Sequence, residues 1–400
     1  MISASTIGLL QGAPRIPIGR LCSLQNGRAF KPTEWVDAGT PIIRIQNLND
    51  SSKDFNYYSG DLPERFRVRH GDVLLSWSGT PGTSFGCFRW KGPDGWLNQH
   101  IFNVRLNPEI IQPDYFVLHV NAILSELIGK AHGGVGLRHI TKGQLDKIEL
   151  SVPSFEVQSR IVDLLSRAEN IVRMRREAEQ KAKEIIPALF LDMFGDPATN
   201  PKGWAQSSLG EVIEQFRYGS SQKSSANGDP VLRIPNVVGG NIDVGNLKFI
   251  DASDSDRTRY ALARGDILFV RTNGNPDYVG RCAVFEPPTD QRWLYASYLI
   301  RGRPVPDAID PQFLQVQLSS VEGRRRLRER ARTAAGQYNI NVEGLRSVPI
   351  VLPPIDLQCA FSGLVRRAKE LAAGSASASA IATASFQSLL SGVFSERRAT

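Results

Sequence analysis

The chain has 400 residues, 41% hydrophobic and 22% charged, which is too long for one comfortable core and is the composition of a globular protein with apolar material for sizeable cores, so two domains are expected and disorder is not the default. The formal net charge of +8 favours a polyanionic partner, because basic side chains that neutralise phosphates release condensed counterions. Cys22, Cys87, Cys282 and Cys359 lie too far apart for a structural zinc site or a redox pair. The segment Met1 to Gly12 lacks the features of a secretory signal, and no stretch is long and apolar enough to span a bilayer, so the sequence reads as cytoplasmic.

Taken in chain order, the elements occur twice, at a period of roughly 190 to 200 residues that marks duplication of a whole domain. Pro41 to Asn47 (PIIRIQN) and Pro230 to Asn236 (PVLRIPN) read as buried strands that end in polar residues. Arg69 to Ser76 (RHGDVLLS) and Ala263 to Val270 (ARGDILFV) each place a Gly-Asp turn before a strand. Polar, glycine-bearing loops follow, Ser78 to Thr83 in one half and Arg271 to Asn275 in the other, and such loops bring backbone close to a ligand. Proline-marked helix starts come next at Pro113 and Pro311. Glycine-containing segments then lead to Ile140 and Ile340, and apolar strands at 148–153 and 348–353 are closed by a proline.

Beyond each of these prolines lies a long helical pattern. Ile161, Leu164, Ala168, Ile171, Arg175, Ala178, Ala182, Ile185 and Leu189 step alternately by three and four, and Phe361, Leu364, Ala368, Leu371, Ser375, Ala378, Ala382, Ser385 and Leu389 repeat those steps. This is a heptad seam with polar Arg175 and Ser375 at equivalent places. Pro187 is expected to kink the first helix, and the Ala/Ser-rich tract 374–385 is expected to be helical rather than a linker. A helix over 156–194 would be on the order of 60 Å long, enough to hold two modules apart. The fold class is therefore α+β: two similar globular modules, 1–154 and 197–354, joined by long helices at 155–196 and 355–400 that form an antiparallel coiled-coil pair.

The duplicated order of landmarks, together with Leu189 to Pro197 (LFLDMFGDP) and Asn200 to Trp204 (NPKGW) at the junction, resembles the specificity subunits of type I restriction-modification systems across nearly the whole chain. The resemblance implies two target recognition domains, each reading one half of a split double-stranded DNA site. It also implies helices that dock two methyltransferase subunits, to which two restriction subunits attach in complete systems. This chain would then be non-catalytic and bind no cofactor, with S-adenosylmethionine, and ATP and Mg where restriction subunits are present, held by the partners. Two other readings stand beside it: an autonomous DNA-modifying enzyme, and a helical scaffold without a DNA role.

Base edges are read by side chains with paired donors and acceptors, whereas phosphates take Lys, Arg and small hydroxyls. On that ground the DNA-contacting candidates of the first module are Gln46, Asn47, Ser78, Thr80, Thr83, Gln99, His100, Arg138 and His139. Those of the second are Arg233, Asn236, Arg271, Asn273, Asn275, Tyr278, Tyr338, Asn339 and Asn341. The densest basic run, Arg324 to Arg330, reads as a helix whose exposed face either tracks phosphates or is simply solvated. Arg173, Arg175 and Arg176 could serve a methyltransferase interface or the DNA between half-sites.

Catalytic patterns are incomplete. Asn275-Pro276-Asp277-Tyr278 is similar to the loop with which amino-methyltransferases hold an exocyclic amine but lacks the second proline, and no glycine-rich cofactor turn accompanies it. Asp114 with Glu179-Gln180-Lys181 supplies the letters of a Mg²⁺ nuclease in the wrong geometry, the latter three being on a long helix. His70, His100, His119, His132 and His139 all lie in the first half without metal-ligand spacing. No catalytic or metal site is therefore assigned.

Overall fold

Each half of the chain builds a four-stranded antiparallel sheet with the same strand order. In the first, the order is Cys22–Asn26, Ile101–Leu106, Val73–Ser76 and Gly86–Arg89; in the second it is Ile213–Tyr218, Leu299–Pro304, Ile267–Val270 and Cys282–Val284. The computed structural model describes residues 9–50, 52–79, 85–123, 138–139, 141–287, 289, 291–334 and 336–394. It divides into two compact units, Met1–Arg176 with Ala378–Thr400, and Glu177–Ser377.

The uninterrupted apolar runs at Val73–Leu75 and Ile267–Val270 follow from burial on both faces. Val73 and Leu75 join the core that holds Ile161 of the first long helix, while Leu74 turns to a second core with Ile43, Trp90, Leu97 and Ile101. Ile267 and Phe269 likewise face Phe361 of the second long helix, and Leu268 and Val270 face Leu232, Phe285, Trp293 and Tyr295. That second face is covered by a small sheet of mixed sense. Thr40–Ile43 pairs antiparallel with Asn56–Tyr58 and parallel with Gly95–Leu97; Asp229–Leu232 does the same with Lys248–Ile250 and Leu294–Tyr295.

The Gly-Asp turns are built alike. Gly71 and Gly265 have φ of 87° and 86°, where an L side chain would be strained. The Asp72 carboxylate accepts from Arg69 N, Asn103 Nδ2 and Arg105 Nη1, and that of Asp266 accepts from Ala263 N and from both Nε and Nη2 of Arg303 at 2.8 Å. Each carboxylate thereby pins the turn to the neighbouring strand.

Phe155–Phe194 and Ile355–Phe394 are continuous 40-residue helices. Pro187 lies inside the first, which runs on to Phe194, and the tract 374–385 is helical. In the first unit the start of one helix and the end of the other share a core, Ile161 and Leu165 with Val393 and Phe394; in the second unit the roles reverse, with Phe361 and Val365 beside Phe190 and Phe194. The paired segments are antiparallel. Packing thus divides the chain within the helices rather than at the module edges, because each helix end belongs to the core it closes.

The seam differs from the sequence expectation by one residue at every second step. Ile161, Leu165 and Val172 are buried, whereas Ile171 is 54% and Ile185 44% exposed; in the repeat Phe361, Val365 and Ala368 are buried, and Leu371 is 69% exposed. The apolar stripe is wider than a two-position seam, as on helices that face a globular core, and adjacent apolar pairs such as Leu164-Leu165 and Ile171-Val172 fit either phase. No helix among the described residues is long and apolar enough to cross a membrane.

Candidate nucleic-acid interface

The loops after the central strands become the edges of small additional sheets. In the second module Arg271 is clamped through its backbone, its N–H donating to Tyr298 O and its carbonyl accepting from Ile340 N, both at 2.9 Å. Thr272–Asn273 then pairs with Gln337–Asn339, which pairs onward with Arg332–Ala334; Asn273 faces Tyr338 and Thr272 faces Asn339. Candidates far apart in sequence are thereby brought side by side. The loop beyond is shaped by two successive Asx turns, Asn273 Oδ1 accepting from Asn275 N and Asn275 Oδ1 from Asp277 N, each at 2.9 Å. The Arg271 and Arg281 guanidinium groups lie 4.7 Å from the ring centroids of Tyr218 and Tyr278 respectively.

The first module has the same scaffold. Trp77 N donates to His100 O at 3.4 Å, and Ser78–Gly79 pairs with Arg138–His139, so that Ser78 faces His139 and Gly79 faces Arg138. Gln99 Nε2 lies 3.2 Å from His100 Nε2. Thr80, Thr83 and Ile140 lie outside the described residues. By register, Trp77 corresponds to Arg271, His100 to Tyr298, Asn26 to Tyr218, Arg138 to Tyr338 and His139 to Asn339. Beside the Asn26 and Tyr218 strand ends stand Gly27 and Gly219, where a Cβ would lie 2.2 Å from Asn98 O and 2.3 Å from Tyr295 O. Both modules therefore need glycine where this strand end meets the crossing backbone.

Several candidates do structural work instead. Asn47 and Asn236 are buried at 4% and 2% exposure. Each carbonyl oxygen caps a short helix through the N–H of Arg44 or Arg233, and each amide donates back to the following loop, at Lys53 O or Asp243 O. With donors and acceptor consumed internally, neither faces a ligand. Asn341 caps the helix Val342–Arg346 through Gly344 N at 2.7 Å. Arg233 Nη2 donates to Asn246 O and Gln46 Nε2 to Asp54 O, which ties both side chains to their own loops.

The basic run forms the helix Val321–Glu329, but internal partners engage it. Arg324 donates to Asp277 O and Val279 O, Arg326 to Pro349 O and Pro197 O, Arg328 to Asp277 Oδ1 and Arg330 to Ser347. Glu322, 8% exposed, pairs with Arg325 and Arg326, which hold its carboxyl down at about 2 against the cost of its burial. The run, read in sequence as either a phosphate track or a solvated face, is in the structure a brace between helix, loop and strand. Asn275 to Tyr278 is a turn, Tyr278 N donating to Asn275 O. Among the described residues no group of His, Cys, Asp and Glu could hold a metal ion.

Sequence reasoning missed two exposed aromatics beside this edge of the second module, Tyr218 at 38% and Tyr298 at 57% exposure. Their counterparts Asn26 and His100 are chemically unlike them, so the repeat gave no signal for the pair; an aromatic at the polar end of a strand was the one available cue.

What the geometry defines is a duplicated recognition protein, with one backbone scaffold used twice to carry two different sets of polar and aromatic side chains at loop edges. Along most of its length the chain is similar to the specificity subunits of type I restriction-modification systems. Residues 15–184 match the type I restriction modification DNA specificity domain. The chain is 24% identical to the type I restriction enzyme EcoKI specificity subunit of Escherichia coli, over 89% of this chain and 81% of that protein. It is also 24% identical to the StySPI specificity subunit of Salmonella potsdam, over 91% and 82%. The fold is shared with the S subunit of a type I restriction-modification system from M. genitalium, with a TM-score of 0.59 and 13% identity over 96% of this chain and 97% of that one. A chain from a structure of a type I R-M system gives a TM-score of 0.61 and 18% identity over 96% and 98%.

Proposed function

We propose that this chain supplies DNA sequence specificity to a type I restriction-modification complex, each module reading one half of a bipartite target. The observation that carries the reading is the pairing of an identical scaffold with unlike side chains, Trp77, His100 and Asn26 against Arg271, Tyr298 and Tyr218. Two readers of that kind recognise two different half-sites. The continuous helices fix the gap between half-sites, as dimer geometry does in other DNA-binding proteins.

The exposed apolar residues on those helices, Ile171, Met174, Leu371 and Ile381, give methyltransferase subunits apolar surface to cover. S-adenosylmethionine, and ATP and Mg where restriction subunits take part, would be held by those partners. Co-expression of the chain with its methyltransferase subunit, followed by mapping of modified bases on a plasmid of known sequence, tests the reading. A split motif of two unlike halves at fixed spacing, dependent on this chain, supports it. Methylation by the chain alone, or a soluble complex giving no split motif, refutes it.

A further inference from the structure

The second module holds an arginine whose stem and ring contact are fixed while part of its donor set is unused. Arg271 is bonded through its backbone to Tyr298 and Ile340, and its guanidinium lies over the Tyr218 ring, 4.7 Å from the centroid. Nη1 makes a long contact of 3.4 Å to Ser297 O, and Nε and Nη2 have no protein partner among the described residues. Neighbouring arginines are committed differently: Arg281 to Asp277 O and Val238 O, Arg324 to Asp277 O and Val279 O, and Arg328 to Asp277 Oδ1. Those side chains hold the loop, whereas Arg271 stands on the edge where Asn273 and Tyr338 meet.

We propose that Arg271 reads a guanine in the half-site of the second module, with Tyr218 as its positioning residue; this rests on the specificity-subunit reading above. A guanidinium carries parallel N–H groups that match the O6 and N7 acceptors guanine shows in the major groove. Such a contact costs less to form when the fork is oriented before DNA arrives, and the Tyr218 face with the two backbone bonds supplies that orientation. Tyr218 is itself held, its hydroxyl accepting from Val342 N at 3.3 Å. The first module has no such reader at the corresponding place. Trp77 stacks on Phe102 at 5.4 Å, with Nε1 buried, so the two half-sites differ at the position each residue faces.

The test is modified-base mapping with the co-expressed complex, comparing wild type with Arg271→Lys, Arg271→Ala, Tyr218→Leu and Tyr218→Phe. The first half-site, read by untouched residues, reports in every variant that the subunit is folded and assembled. The wild-type motif should contain an invariant guanine in the second half. Arg271→Lys and Tyr218→Leu should each lower discrimination at that one position about tenfold or more, while Tyr218→Phe, which keeps the ring face and loses only the 3.3 Å bond from Val342 N, lowers it by less. The proposal is overturned if the second half-site has no invariant guanine. It is also overturned if Arg271→Lys leaves the motif intact while Arg271→Ala weakens methylation equally at all sites, the behaviour of a phosphate contact that lysine can replace. Absence of any split motif from the wild-type complex would instead sink the specificity-subunit reading itself.

Discussion

Gln158 and Gln358 make the same joint in the two repeats. Gln158 Oε1 accepts from Gln112 N at 2.8 Å while its Nε2 donates to Pro153 O at 2.9 Å; Gln358 Oε1 accepts from Asp310 N at 2.9 Å while its Nε2 donates to Pro353 O at 2.7 Å. Both side chains are at 0% exposure, so each amide ties the first turn of a long helix to the chain that enters the helix beginning at Pro113 or Pro311. Gln358→Leu would leave a buried N–H and a buried C=O unpaired, at a cost of about 3 kcal/mol. The measurement is the shift in urea midpoint; a shift equivalent to less than about 0.5 kcal/mol would show the amide to be dispensable.

His119 stacks on Phe394 at the end of the second long helix, with ring centroids 4.4 Å apart. Burial, reinforced by the charge of Arg15 and partly opposed by a hydrogen bond with the Ser151 backbone, lowers its pKa to about 4. A histidine depressed in the fold is neutral there while the unfolded chain protonates near 6.5, so the stability present above that value erodes as pH falls and is lost by about 4. The loss should total about 3 kcal/mol. In the second unit Gln317 takes the same place in its helix and donates to Val351 O, which makes His119→Gln a fitting control. Unfolding free energy of the variant should lose most of that slope between pH 6.5 and 4, and an unchanged slope would mean another group is responsible.

What the sequence made legible follows from where physics leaves a periodic trace. The strands at Val73 and Ile267 were readable because apolar runs between a Gly-Asp turn and a polar loop fit a strand covered on both sides. Long helices were readable from their repeat, but the phase of the seam was not: Ile171-Val172 and Ile185-Ile186 satisfy either choice, and only the opposing helix end decides. Asn47 and Asn236 were misjudged for a different reason. An amide has the same hydrogen-bonding groups whether it faces a base or its own backbone, and residue type does not say which. Tyr218 and Tyr298 carried no repeated signal, since at their places in the first module stand the chemically unlike Asn26 and His100.

That distinction between holding and reading separates two asparagines a short way apart in the second module. Asn236→Ala removes the cap on Arg233 N and the bonds to Asp243 O and Asn246 O from a buried site, and should cost about 2 kcal/mol with the recognition motif unchanged. Asn273→Ala removes one turn-forming bond from the reading edge and should leave the melting temperature nearly unaltered while relaxing one position of the second half-site. Thermal melts beside methylation maps of both variants check the pair. The assignment fails if Asn236→Ala relaxes the motif at full stability, or if Asn273→Ala leaves specificity intact.

The arginines of the helix Val321–Glu329 look in sequence like a track for phosphates, and their partners argue otherwise. Arg326, with its side chain 16% exposed, bonds to Glu322, Pro349 O and Pro197 O, joining helix, strand and the junction after the first long helix. Removing it leaves two carbonyls without their donor and strips Glu322 of one of its two counter-charges in a nearly enclosed site. Arg326→Ala should therefore destabilise the second unit by about 3 kcal/mol, the scale for breaking a buried hydrogen-bonded ion pair. DNA binding by the assembled complex, followed across a salt series, should keep its slope, whereas loss of a genuine phosphate contact lowers the slope by about 1. A fall in slope with stability retained would return the tract to the DNA interface, because a residue that neutralises phosphate releases counterions and one that braces the fold does not.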